Sequence, residues 1–168
     1  SLSLKVIIFG FIFTFFSSFG QSFFIGLFNP SVRDALNISH GQFGSIYATA
    51  TLLSSFLFIW VGKKIDDINI LRFALYVTVL LSFSCFFFSK ISSIVFLFIA
   101  IFLMRFSGQG MMSHTASTTI SRYFTKSRGK ALSIGWFGLS VAEFILPVTI
   151  IYVLTIYNWQ NIWIFISL

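Results

Sequence analysis

Long uncharged runs alternate with short charged connections along this chain. Val6–Phe28 holds 23 residues without a charge, and Gly41–Gly62 holds 22. As helices rising 1.5 Å per residue, these runs reach roughly 33–35 Å, enough for a hydrocarbon core of about 30 Å. Residues 70–89 span as well once Arg72 extends to the interface. Ile91–Ser121 is interrupted only by Arg105, and Ala131–Tyr157 only by Glu143. A sixth run opens near Trp159 and is still apolar at Leu168. The pattern predicts an all-α polytopic transmembrane helix bundle. Its five complete spans fall at 6–28, 41–62, 70–89, 91–115 and 131–157, with the start of a sixth at 159–168. No Gly/Ser linker divides the chain, so residues 1–168 form one transmembrane domain.

Composition strengthens this reading. The chain is 57% hydrophobic and 9% charged, with 25 phenylalanines in 168 residues, against about 25% charged for a soluble domain. Polar surface for a water-soluble fold is absent. The first run exceeds the apolar length of a signal peptide and no small-x-small cleavage pattern follows it, so it reads as a retained helix. The chain begins with Ser1 rather than Met and stops at Leu168 inside an apolar run, so it is expected to be an N-terminal fragment with a missing C-terminal half. Cys85, the single cysteine, lies mid-helix and forms neither a disulfide nor a thiol metal site.

Charge sets an orientation. One side of the membrane receives Lys5, then Lys63, Lys64 and Arg72, then Arg122, Lys126, Arg128 and Lys130; the other receives Arg33 and Lys90. Basic residues concentrate in cytoplasmic connections. The N-terminus and both basic connections are therefore expected in the cytoplasm of a cell (plasma or inner) membrane. The net charge of +7 is spread over these connections rather than pooled, which argues against a nucleic-acid partner. Residues 29–40, NPSVRDALNISH, then form an outer connection, with Pro30 stopping the first helix. Its Asn37-Ile38-Ser39 matches a glycosylation acceptor, a chance tripeptide in so short a loop.

Polar groups inside the spans are the candidate chemistry. A charge at a helix centre costs about 2.5–3.5 kcal/mol on insertion scales and marks a cavity or a partner. Arg105 lies about 22 Å into its helix from the outer end, and Glu143 about 20 Å into the next from the cytoplasmic end. At that similar depth they are expected to pair or to share a water-filled cavity. Gln21 and Ser22 occupy the middle of the first span, and Gln109 follows Arg105 by four residues. His114 is a candidate proton carrier, set against the role of a hydrogen-bonded structural residue near a helix end. Small residues four apart, Ser113/Ser117/Ser121, Gly44/Ala48 and Gly138/Ala142, predict close helix packing. Pro147 is expected to kink the fifth span or weaken one backbone bond.

Missing motifs exclude other classes. No GxxxxGK[ST], no HExxH and no cysteine–histidine cluster is present, so no nucleotide, metal or other cofactor is expected. Gly138-Leu139-Ser140-Val141 lacks the glycine that an intramembrane GxSG protease needs, and TVGYG is absent. An enzyme is not expected.

Three segments carry a resemblance. Gly62-Lys63-Lys64-Ile65-Asp66-Asp67-Ile68-Asn69-Ile70-Leu71-Arg72 is similar to a G-x-x-x-D-R/K-x-G-R-R/K loop; Gly62 and Asp66 match, Asp67 replaces a base, Asn69 replaces a glycine and Arg72 is displaced. Arg105-Phe106-Ser107-Gly108-Gln109-Gly110 is a shortened R-x-x-x-G-x-G. ISRYFTKSRGKALSIGWFGLSVAEFILP, with Arg128-Gly129-Lys130-Ala131 as its most specific element, resembles the loop and fifth helix of monocarboxylate and oxalate/formate-like carriers. The chain resembles the N-terminal half of a major facilitator superfamily transporter over essentially its whole length.

The resemblance implies twelve helices in two six-helix halves around a central site. It also implies secondary-active transport of a small solute, such as an organic anion, by alternating access, as symporter or antiporter with a coupling proton or counter-solute. In that frame Arg105, Gln109, Glu143, Gln21 and His114 serve substrate or coupling. Gly62, Asp66 and a partner from Arg122 or Arg128 form a cytoplasmic gate. A non-transporting sensor or assembly subunit on the same helices is the alternative.

Overall fold

The computed structural model describes residues 1–168, which are 86% helical with no strand. Five helices are long and apolar enough to cross a membrane: Leu2–Gly26, His40–Asp66, Ile70–Ser89, Ile94–Tyr123 and Arg128–Leu154. In detail they comprise α1 (Leu2–Phe16), α2 (Ser22–Gly26), α4 (His40–Val61), α5 (Ile70–Ser89), α6 (Ile94–Met104), α7 (Ser113–Tyr123) and α8 (Arg128–Leu154). A short α3 (Asn29–Leu36) precedes α4, and α9 (Trp159–Ser167) ends the chain.

Two of the spans are irregular, and local chemistry explains both. The first tightens into a 3₁₀ turn at Ser17–Gly20, then passes through Gln21 in an extended conformation (φ −86°, ψ 152°) before α2. Ser17 donates to the Thr14 carbonyl at 2.6 Å, so a side chain competes with the helical ladder, and Gly20 adds a poor helix former. The fourth span widens into a π-helix over Arg105–Met112, between α6 and α7. This stretch contains Gly108 and Gly110, and Ser107 back-bonds to the Leu103 carbonyl at 2.7 Å. Wide turns of this kind are frequent at functional sites.

Several expected boundaries move. The fourth helix runs from Ile94 to Tyr123 rather than over 91–115, and the fifth from Arg128 to Leu154 rather than over 131–157. Residues 29–40 are mostly helix instead of loop. Pro30 falls in the first turn of α3, where its missing N–H is harmless. Asn37 then stops α3 in the left-handed region (φ 53°), and Ser39 forms a capping box with Gln42 at the start of α4. The acceptor-like tripeptide is thus a stop signal and a start signal back to back. Asn69, where the resembling loop has glycine, caps α5 by accepting from the Leu71 and Arg72 amides. Helix α8 continues through Pro147, which leaves the Glu143 carbonyl without its usual donor.

Packing places the fourth span at the centre. Half of its apolar window is buried, against 11% for the second span. The first span lies along the fifth, the second along the fourth, and the third along the sixth. Exchanging the first three helices with the last three maps these pairings onto one another, the relation of inverted three-helix repeats. Close approach fixes the pairs. Gly138 is seated on the Phe11 backbone, and Thr14 Oγ1 donates to the Gly135 carbonyl at 2.7 Å, locking α1 onto α8. Gly44 and Ala48 do not pack as expected: both are exposed, and Gly44 has no neighbour within 4 Å of where a Cβ would stand. At the third–sixth contact Trp163 is fully buried among Phe24, Phe28 and Phe88. The outer surface is apolar, with Phe144 83% and Val148 72% exposed, as a bilayer-facing helix requires.

Candidate functional site

The fourth span crosses the first with backbone touching backbone. A Cβ on Gly20 would lie 2.7 Å from Gly108 Cα, and one on Gly108 would lie 2.7 Å from Gly20 Cα. That contact brings the Gly20 carbonyl to Arg105, whose Nη1 donates to it at 2.8 Å. Arg105 Nε donates to Thr51 Oγ1 at 3.3 Å, and the guanidinium carbon stands 5.3 Å from the Tyr47 ring centroid. Tyr47 is itself held by a 2.7 Å hydrogen bond to Ser22.

Arg105 is only 8% exposed, yet no carboxylate pairs with it. The expected Arg105–Glu143 pair does not form. Glu143 is exposed, and the ion pairs of this structure are Lys64–Asp67 and Arg122–Asp66. The physical reason is distance combined with direction. Arg105 is turned to the first and second spans, whereas Glu143, although on the α8 stripe of Trp136, lies two turns and about 10 Å farther along the axis and does not line the cavity. A guanidinium has five N–H groups. Two are used here, which leaves a buried, uncompensated cation with donors to spare.

Those donors border a cavity of about 350 Å³ between the second, fourth and fifth spans. Three of its eleven lining residues are hydrophobic and seven carry polar side chains. Gln109 joins Arg105 there, as their four-residue spacing predicts. Ser113, Ser117 and Trp136 complete the end nearer the basic connections. Trp136 Nε1 donates to Ser117 Oγ at 3.0 Å. Ser113 is 7% exposed and its hydroxyl has no partner in the protein.

Other expected members are placed differently. Gln21 does not line this cavity; its amide turns back to Ser17 Oγ at 3.4 Å. The adjacent Gly20 carbonyl is what the first span contributes. His114 lines the cavity, and its Nε2 lies 2.9 Å from the Gly62 carbonyl, with its ring edge-on to Phe58. That bond ties the fourth span to the 3₁₀ turn Gly62–Asp66. Arg122 Nη2 sits 2.5 Å from Asp66 Oδ1 and also reaches the Ile65 carbonyl at 3.4 Å. Arg128 makes no such pair and borders a neighbouring polar recess instead. Asp67, where the resembling loop has a base, stands 3.8 Å from Lys64 within its own turn. Both of those groups are largely exposed, so the pair contributes well under 1 kcal/mol.

Gly20, Tyr47, Thr51 and Trp136 were not singled out from the sequence. Tyr47 and Thr51 are four apart on α4 and carried a faint signal as polar groups inside an apolar run. Gly20 carried none, because its part is played by a carbonyl.

No curated protein and no solved structure matches the chain at a significant level. The family model of the Major Facilitator Superfamily does match, over residues 10–168. The members of that family are membrane transporters of small molecules. With its all-helical fold of apolar spans, the chain belongs to the Major Facilitator Superfamily.

Proposed function

We propose that the protein carries a small organic anion by alternating access, with Arg105 as the group that receives the negative charge. One observation carries this reading: Arg105 is buried beside a cavity lined in part by polar side chains, with no carboxylate partner and with unused N–H groups. A transported anion is the natural counter-charge, because an unpaired cation at membrane depth is costly. The similarity of residues 120–147 to monocarboxylate and oxalate/formate-like carriers supports the same class.

The remaining parts are assigned roles within this reading. Glu143, on the cavity-side stripe of α8, takes up a coupling proton, with His114 as the alternative carrier. Asp66 and Arg122 form the gate at the cytoplasmic end, where Gly62 sits buried at the turn. The distribution of basic residues supports a cytoplasmic N-terminus in the cell membrane. A second six-helix half closes the cavity. Uptake of radiolabelled organic anions into proteoliposomes of the full-length protein tests the proposal. Arg105→Ala removes uptake by about 100-fold or more, the worth of two charge-assisted hydrogen bonds. Arg105→Lys restores part of it. Normal anion flux in Arg105→Ala overturns the assignment, and absence of any flux in the wild type favours the non-transporting sensor or subunit.

A further inference from the structure

Beyond Arg105, the fourth span presents a row of polar side chains to the cavity. Arg105, Gln109, Ser113 and Ser117 recur every four residues along the fourth span, the first two within its π stretch and the last two on α7. All four line the same cavity. The state of each polar group matters more than its presence. Ser113 is almost fully buried and its hydroxyl has neither donor nor acceptor in the protein. A buried hydroxyl in that state calls for an outside partner. Ser117 accepts from Trp136 Nε1, so its own O–H is still free to donate. Gln109 is exposed to the cavity, and its amide makes no hydrogen bond to the protein. By contrast, Ser54 on the facing α4 already donates to the Thr51 carbonyl at 2.8 Å, so it offers acceptor lone pairs only. One cation is thus followed by three groups able to donate, with an acceptor opposite.

Resting on the anion reading above, we propose that the substrate is a polyhydroxylated organic monoanion, of the sugar-acid or hydroxy-acid class. Its carboxylate meets Arg105, and its hydroxyls lie along Gln109, Ser113 and Ser117. The single charge follows from the site: no second unpaired cation lines the cavity, since His114 faces the Gly62 carbonyl and Arg122 is held by Asp66 outside it. The hydroxyls follow from satisfaction. An aliphatic anion of the same length would leave the Ser113 hydroxyl and Gln109 amide desolvated and unpaired, whereas hydroxyl groups give and accept in turn. A site built around hydrogen bonds rejects analogues that lack them much more strongly than an apolar site rejects extra ones. The three aromatic or apolar members, Phe58, Phe106 and Trp136, supply flat faces for the C–H side of such a chain.

Gluconate and hexanoate, of equal carbon number and charge, are the probes. Uptake of each into proteoliposomes of the full-length protein is compared for wild type, Ser113→Ala and Arg105→Ala. Gluconate is expected to enter wild type at least tenfold faster than hexanoate at equal concentration. Ser113→Ala breaks no bond within the protein, so folding is preserved. It reduces gluconate kcat/KM about tenfold and raises that of hexanoate, which no longer strands the hydroxyl. Arg105→Ala abolishes both. Equal uptake of the two anions by wild type, or an equal effect of Ser113→Ala on both, overturns the hydroxylated class while Arg105 dependence keeps the anion reading. If neither anion shows Arg105-dependent uptake, both readings fall.

Discussion

Gly20→Ala isolates the contact on which the site is built. The added Cβ would stand 2.7 Å from Gly108 Cα and from the Gln109 amide nitrogen, and closer still to the Met104 carbonyl oxygen. All three are backbone atoms, so no side chain can swing aside. The contact with the Met104 oxygen is the tightest, and relieving it to ordinary packing separates the first and fourth spans by about 1 Å or more. The Arg105 Nη1–Gly20 carbonyl distance would then grow from 2.8 Å to about 3.8 Å, which is no longer a hydrogen bond. Losing that charge-assisted bond costs about 1.5–3 kcal/mol, and residual strain adds about 1–3 kcal/mol. Thermal unfolding of the purified full-length protein in detergent reads the sum as a fall of roughly 5–15 °C in Tm. Anion uptake falls with it, because Arg105 loses its anchor. Gly26→Ala is the control, since nothing lies within 4 Å of its Cβ position, and it shifts stability by less than about 0.5 kcal/mol. Wild-type melting and uptake in Gly20→Ala would refute the claim that this crossing positions Arg105.

Three further outcomes separate the remaining assignments. Arg122→Gln changes the inward/outward balance in cysteine-accessibility labelling by about two- to fivefold, the range for an ion pair that is largely exposed, whereas Arg128→Gln leaves it unchanged. If Arg128→Gln has the larger effect, the Asp66–Arg122 gate is wrong. Glu143→Gln keeps anion counterflow but loses uptake driven by a pH gradient; retention of proton-driven accumulation would move the coupling role to His114. Ser39→Ala removes the capping box at the start of α4 and lowers stability by about 1 kcal/mol in a thermal melt, with uptake intact.

Residue order by itself determined the class of fold. Charge is so costly in hydrocarbon that all but two of the fifteen charged residues, Arg105 and Glu143, lie near or between the ends of the spans, and the second and third helices follow the uncharged runs closely. It also singled out Arg105, because a lone base in an apolar run is conspicuous whatever surrounds it. Tertiary structure alone decided what Arg105 meets. Similar depth on adjacent helices suggested Glu143, but depth is a coordinate along the axis, and pairing depends on rotation about it. A π stretch rotates everything beyond Arg105 relative to a regular helix, and no hydrophobic period announces it. The partners found instead, the Gly20 carbonyl and the Thr51 hydroxyl, come from spans 85 and 54 residues away in sequence. A backbone carbonyl leaves no trace in residue identity, and it becomes a ligand only because two glycines let two helices touch. The choice of Arg122 over Arg128 for Asp66 has the same origin: the sequence offers both as bases of one connection, whereas the fold puts Arg122 in the last turn of α7, within reach of Asp66, and Arg128 at the start of α8.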